Sequence, residues 1–300
     1  MPTRREFLYA GAAAAVAGTW PTGPGQAAQA AGDKSGSTEP PVKFKLGLVT
    51  YNLARDWDIP TIIKRCLAAG FEAVELRSTH AHGVEPGISK DRRREVRKQF
   101  ADGGLRLLSL GTACQYHEPD PKAVEKNIEE TKRFAELAAD LGCLGIKVRP
   151  NGLPKDVPVP KTLEQIGKAL RRCGEIGDEH GIEIWVEVHG SGTADPRHMR
   201  AIMDIADHPR VGVCWNSNAN DLIDGSIQRG FDLLRPKLMS CHINELSSEY
   251  PWRDLFTNLR RTGYDRYTLA EVQGFDTQSE KDVLRIMGYY KALWTQLCRP

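Results

Sequence analysis

The chain predicts a single-domain (β/α)₈ barrel of the α/β class, and three observations carry that prediction. Strand-like and helix-like patterns alternate eight times between residues 45 and 300. Four polar residues, Glu187, Asn216, His242 and Glu271, each close a short apolar run, at separations of 29, 26 and 29 residues. About 260 residues follow position 41, the usual length of one such barrel and enough to bury one large core.

Residues 1–30 read as an export signal. Thr3, Arg4, Arg5, Glu6, Phe7 and Leu8 spell a twin-arginine motif, an Ala-rich apolar run too short to span a bilayer follows, and Ala28, Gln29 and Ala30 form a small-residue cleavage site. The expectation is a periplasmic or secreted protein with no stable membrane insertion after processing. Residues 31–41, AGDKSGSTEPP, have almost nothing to bury and read as a flexible lead-in. The barrel is expected over residues 42–300.

Within it, strands are expected near residues 45–50, 71–77, 105–110, 143–149, 182–188, 211–215, 238–243 and 267–272. The later runs, GIEIWVE, VGVCWN, LMSCH and YTLAE, are short and rich in β-branched or aromatic residues, as parallel strands covered on both faces should be. Helices lie between them. Asp120 before Pro121 and Asp195 before Pro196 place an N-cap ahead of a first-turn proline. Thr162 with Gln165 reads as a capping box. Gly70, Gly104, Gly142, Gly181 and Gly263 mark helix ends, where a left-handed residue turns the chain back toward the sheet. Strand, helix, strand repeated eight times gives a parallel sheet, and closure removes its edges.

The formal net charge of +2 gives no reason to expect nucleic acid as a partner. The basic run at residues 90–98 alternates with Asp91 and Glu95 and reads as a solvated helix face. Seven cysteines are an odd number, and no CxxC pair occurs. Buried free thiols are therefore expected rather than a disulfide framework.

Chemistry in such a barrel is built at the C-terminal ends of the strands. Polar residues collect there: Glu75 and Arg77, then His80 and His82, after the second strand; Cys114 and His117 after the third; Lys147 and Arg149 on the fourth. Glu187 and His189, Asn216 and Asn218, His242 with Asn244 and Glu245, and Glu271 with Gln273 follow. Period-two alternation puts Glu187 and His189 on one face, and Lys147 and Arg149 on one face. The residues expected to touch substrate are Lys147, Arg149, His189, His82 and His117. Trp185, Trp215 and Trp252 could stack on a ligand, against the core role usual for strand aromatics. Two carboxylates, an imidazole and an amide oxygen are hard donors suited to Mn²⁺, Mg²⁺ or Zn²⁺.

Taken together, GYDRYTLAE, SCHINE, EIWVEVHG and VGVCWN resemble the eighth, seventh, fifth and sixth strands of the xylose isomerase-like TIM-barrel superfamily, in its sugar phosphate isomerase/epimerase group. The resemblance covers most of residues 42–300. It implies Glu187, Asn216, His242 and Glu271 as metal ligands, with Glu187 and Glu271 as the catalytic carboxylates. Many relatives carry Asp, then His three residues later, where this chain has Asn216 and Ala219. The ligand set therefore has one negative charge fewer, weaker metal binding is expected, and the related trinuclear-zinc DNA-repair endonucleases are disfavoured.

The function expected is a divalent-metal-dependent isomerase or epimerase acting on a small carbohydrate by α-proton transfer through an enediolate. The same proton abstraction also starts a β-elimination, so a lyase or hydratase acting on keto-sugars or glycosides is the alternative. A non-catalytic sugar-binding barrel is the second alternative. The sequence leaves the oligomeric state open.

Overall fold

The computed structural model describes residues 39–274 and 279–299. The twin-arginine motif and most of the lead-in lie outside the described residues. Eight strands, β1 Lys45–Val49, β2 Ala73–Arg77, β3 Arg106–Gln115, β4 Gly145–Arg149, β5 Glu183–Glu187, β6 Val211–Asn216, β7 Leu238–Ile243 and β8 Tyr267–Ala270, close into one barrel in sequence order. Every neighbouring pair is parallel, including β1 with β8. Helices α1 Ile59–Ala68, α2 Lys90–Gly103, α3 Pro121–Leu141, α4 Val159–His180, α5 Pro196–Ala206, α6 Gln228–Leu234, α7 Trp252–Arg261 and α8 Glu280–Leu297 alternate with the strands. No helix among the described residues is long and apolar enough to cross a membrane.

Local chemistry explains the boundaries. Asp120 and Asp195 cap α3 and α5 by accepting from Lys122 N and Arg197 N, ahead of first-turn prolines. Asp58 does the same for α1 through Thr61 N. Gly104, Gly142 and Gly181 end α2, α3 and α4 in the left-handed conformation. The capping box expected at Thr162 and Gln165 does not form. Pro158 and Pro160 start α4 earlier, because a proline in the first turn gives up no intrahelical bond. Thr162 is thereby buried inside the helix, and Gln165 Nε2 donates to Tyr116 O and Glu118 O, both at 2.8 Å. The third strand also runs past its expected end at 110, since Gly111 and Gln115 still pair with Lys147 and Arg149. The basic run lies on α2 and is laced with pairs such as Arg92–Glu95 at 2.8 Å. Arg93 departs from that solvated face: it is buried, held by Glu136 and Asp140. All seven cysteines are free, six of them buried, and Cys143 lies just before β4 rather than in it.

The apolar residues form two layers. A large shell between barrel and helices includes Leu46, Leu48, Ile146, Ile184 and Val186. A smaller plug of Val49, Ala73, Leu108, Trp185, Cys214 and Leu269 fills the lumen. Gly145 makes room for the Trp185 indole, because a Cβ there would lie 2.8 Å from Cε2. Side chains alternate along a strand, so outside the irregular register of β3 the residue two positions beyond an inward one also points inward, one layer nearer the C-terminal mouth. Ala73 leads to Glu75, Gly145 to Lys147, Trp185 to Glu187, Cys214 to Asn216, Ser240 to His242 and Leu269 to Glu271. A polar layer therefore sits directly on an apolar floor.

Gly111 is the tightest point of that layer, since a Cβ there would stand 2.8 Å from Glu75 Oε1 and 3.4 Å from its Cδ. Gly111→Ala should cost about 1–3 kcal/mol of stability in urea unfolding, because the displaced carboxylate is fully buried. Unchanged stability would show that Glu75 has somewhere else to go.

Candidate active site

The polar layer opens upward into a cavity of about 450 Å³. Its walls carry Tyr51, Arg77, Lys147, Arg149, Glu187, His189, Asn216, Asn244, Glu245, Trp252, Glu271 and Gln273. Lys147, Arg149 and His189, expected to touch substrate, are thus brought together with Glu187, Asn216 and Glu271. His82 and His117 are not. His82 is buried, its Nε2 lies 2.8 Å from Arg77 O and its Nδ1 accepts from Val84 N, so backbone occupies both ring nitrogens. Burial lowers its pKa to about 4, and the ring serves to brace the loop after β2. His117 packs beside Gly152 in the loop after β4, with Nε2 3.5 Å from Glu118 Oε1. Trp185 and Trp215 belong to the core, whereas Trp252 reaches the cavity.

At the floor, Glu187, His242 and Glu271 each offer a ligand atom, all within 4.8 Å of one another. His242 is fully buried, with Nδ1 3.4 Å from Glu271 Oε1 and Nε2 3.3 Å from Glu75 Oε1. Neither ring nitrogen has a hydrogen-bond partner among the described residues, nor does the buried Oδ1 of Asn216. A cradle with an unsatisfied amide oxygen, an unsatisfied imidazole and two carboxylates fits a divalent cation of the Mg²⁺, Mn²⁺ or Zn²⁺ kind.

Glu75 is the residue that the expected ligand set leaves out. It is fully buried behind His242, and Ser109 Oγ donates to its Oε2 at 2.8 Å. Burial works to raise its pKa, but His242, Lys147 and Ser109 together hold it below the ordinary value. The usable signal was its position, a carboxylate two residues beyond an inward alanine at a strand end. Lys147 Nζ donates to Glu187 Oε2 at 2.6 Å, both side chains being 6% exposed. Burial disfavours that ammonium, yet Glu187 and Glu75 raise its pKa overall, and Lys147 and His242 in turn lower that of Glu187 against its own desolvation. An internal ion pair between Lys147 and Glu187 is therefore present alongside the cluster. His242 follows the same logic: burial opposes its charge, while Cys214, Glu75 and Glu271 raise its pKa well above the ordinary value.

His189 is half-buried, and burial, with Arg149 and Lys147, lowers its pKa despite Glu187 and Glu271. Its Nδ1 lies 3.0 Å from Asn151 Oδ1, and Asn151 Nδ2 is committed to Gln115 Oε1. That places the proton on Nδ1 and leaves Nε2 as an acceptor.

Another buried carboxylate braces the rim. Asp221 Oδ2 accepts from Tyr250 OH at 2.7 Å and Asn218 N at 2.9 Å, and the Tyr250 oxygen accepts from Trp215 Nε1 at 3.0 Å. The Tyr250 ring packs at a tilt, 4.5 Å from that of Trp252, which lines the cavity.

The comparisons with known proteins agree with this fold. A family model described as xylose isomerase-like TIM barrel matches residues 63–293. No curated protein sequence matches the chain. Among solved structures, D-psicose 3-epimerase from Clostridium cellulolyticum H10, with D-tagatose, is similar at a TM-score of 0.73 and 14% identity, over 86% of this chain and 100% of that one. The 3-keto-D-glucoside 4-epimerase YcjR from E. coli gives 0.69 and 15%, over 84% and 100%. IolI, described with a bound zinc atom, gives 0.70 and 14%, over 85% and 98%. At these identities the likeness establishes the fold.

Burial raises the Asp221 pKa to about 7. A carboxyl whose folded pKa exceeds its unfolded value adds stability that is fully present below about pH 4 and lost as pH rises through about 7. Asp221→Asn should remove that dependence, so wild type relative to variant should lose on the order of 4 kcal/mol between pH 4 and pH 8. Urea unfolding across that range checks it, and parallel curves would contradict it.

Proposed function

We propose that this chain, which belongs to the xylose isomerase-like TIM-barrel family, is an enzyme that isomerises or epimerises a saccharide by moving a proton on the carbon beside a carbonyl. The observation that carries the reading is the cluster of Glu187, His242 and Glu271, with the unsatisfied Oδ1 of Asn216 beside it at the floor of a polar cavity. These four residues would hold a divalent cation, which would supply Lewis-acid polarisation of adjacent carbonyl and hydroxyl oxygens.

The chain's own groups do the rest. The negative charge of Glu75, 3.3 Å from Nε2, favours the His242 tautomer with its proton on that nitrogen and leaves Nδ1 toward Glu271 and the cavity. Lys147 keeps Glu187 ionised, so that it can accept a proton, and fixes where its carboxylate points. Glu271 lies across the cluster, and with its side chain 13% exposed it can return a proton to the same or the opposite face of the carbon. Arg149 and the His189 Nε2 acceptor orient hydroxyls and stabilise developing negative charge. The apolar floor beneath excludes water from below.

Structures of sugar epimerases and of a zinc-bearing protein support this reading by fold. The structure of AsbF from Bacillus anthracis, described as a probable 3-DHS dehydratase, is similar at a TM-score of 0.65 and 16% identity, over 83% of this chain and 99% of that one. It favours elimination as the second reading, since removal of the same proton begins it. Export through Arg4 and Arg5 is part of the proposal, and outside the cytoplasm an unphosphorylated saccharide is the expected substrate.

Incubation with ketoses and keto-glycosides in D₂O should give deuterium at the carbon beside the carbonyl, or a product formed by loss of that proton. Glu187→Gln and Glu271→Gln should each lower turnover by about 10²–10⁴-fold. Release of an aglycone with an unsaturated sugar would select the lyase reading, and binding without exchange or turnover would select a sugar-binding barrel. Full activity in both variants would contradict the mechanism.

A further inference from the structure

Beside the main cavity lies a second chamber of about 290 Å³, built from the loops after β1 and β2 and the outer part of β3. Its lining includes Asn52, Arg55, Arg77, Ser78, Thr79 and His80, and Arg77 lines the main cavity as well. The chamber is rich in donors and poor in counter-charge. Among the described residues no carboxylate forms an ion pair with Arg55 or Arg77. Arg77 instead rests over the Tyr51 ring at 5.2 Å, a contact that steers the guanidinium without neutralising it. Two carboxylates are near: Glu85 is committed to Thr79 N at 2.5 Å, and Asp56 offsets part of the positive field at His80.

His80 reports that field. Burial lowers its pKa first, and Arg77 and Arg55 lower it further. Its Nδ1 is held 3.1 Å from Thr50 Oγ1, which leaves Nε2 as the ring's open atom. The backbone gives an independent sign. Thr79 has φ of 68°, a left-handed conformation that a β-branched residue rarely adopts, kept in place by Glu85 and by the His82 brace beneath the same loop. Strain of this kind is retained where the loop has to present particular groups, and this loop presents Ser78 and His80 to the chamber.

We propose that the chamber is a subsite for an oxyanion substituent, a carboxylate or a sulfate ester, carried by the saccharide away from its reacting carbon. Two unpaired guanidinium groups and a hydroxyl suit an anion with several oxygens far better than a neutral hydroxyl. Arg77, common to both cavities, would link the anion's position to the reacting end. The inference rests on the saccharide reading above and narrows its substrate class to acidic or sulfated sugars.

Equilibrium binding to the full, metal-loaded chain tests it without requiring turnover, so its outcome is independent of the deuterium-exchange result. The probes are D-glucuronate, D-glucose 6-sulfate, D-glucose and inorganic sulfate. Wild type should bind at least one charged sugar about tenfold more tightly than glucose, and Arg55→Gln should bring that ratio close to one. Arg55 is an exposed side chain, so the variant should fold, and circular dichroism checks that it does. Raising potassium chloride should shrink the wild-type preference as well. Equal affinity for charged and neutral sugars, an unchanged ratio in Arg55→Gln, or binding of inorganic sulfate alone would each overturn the proposal.

Discussion

Three carboxylates, Glu75, Glu187 and Glu271, crowd around one fully buried imidazole at the mouth of the barrel, and that concentration of charge constrains everything near it. Taking a carboxylate out of water costs several kcal/mol unless an opposite charge and hydrogen bonds replace the solvent. Lys147 and His242 supply part of the opposite charge, and Ser109 supplies a hydrogen bond. Atoms are nevertheless left over: both ring nitrogens of His242, Glu75 Oε1 and Asn216 Oδ1. Such a cluster is incomplete in a way that a small divalent cation would remedy. The neutral Asn216 and the ammonium of Lys147 both reduce the net negative charge facing that cation, so affinity should be lower than for a site with a third carboxylate ligand.

The barrel makes this arrangement possible through alternation alone. Parallel strands deliver inward side chains to a common layer, and Ala73, Trp185, Cys214 and Leu269, two places before Glu75, Glu187, Asn216 and Glu271, belong to the apolar plug. Replacing the plug with polar groups would leave the charged layer in contact with water from below. Small residues at Gly111 and Gly145 admit the Glu75 carboxylate and the Trp185 ring, so floor and ligands depend on glycine as much as on charge.

Much of this was legible in the sequence. The nearly equal spacing of Glu187, Asn216, His242 and Glu271 at strand ends reflects a repeated unit of nearly constant length, which is why the eight-fold alternation and the cluster could both be read. Residues whose role depends on contacts across the barrel were harder. Glu75 joins His242 across more than half the chain, and its strand-end position shows that it points inward but not which residue it meets. His82 and His117 look like cavity residues by position, but their loops turn the rings onto backbone and neighbouring loop. Thr162 and Gln165 carried a genuine capping pattern that the prolines before them overrode. The end of β3 depends on pairing with β4 past position 110, across an irregular register that the local sequence does not show.

The central claim is that the cluster at the barrel mouth is a cation site and not only a network of internal ion pairs. Anomalous diffraction from crystals soaked in Mn²⁺ tests it most directly. The account predicts one strong peak about 2.0–2.3 Å from atoms of Glu187, Asn216, His242 and Glu271. A saturating soak that leaves no peak there, with Lys147 and His242 still the only positive groups on the carboxylates, would contradict it.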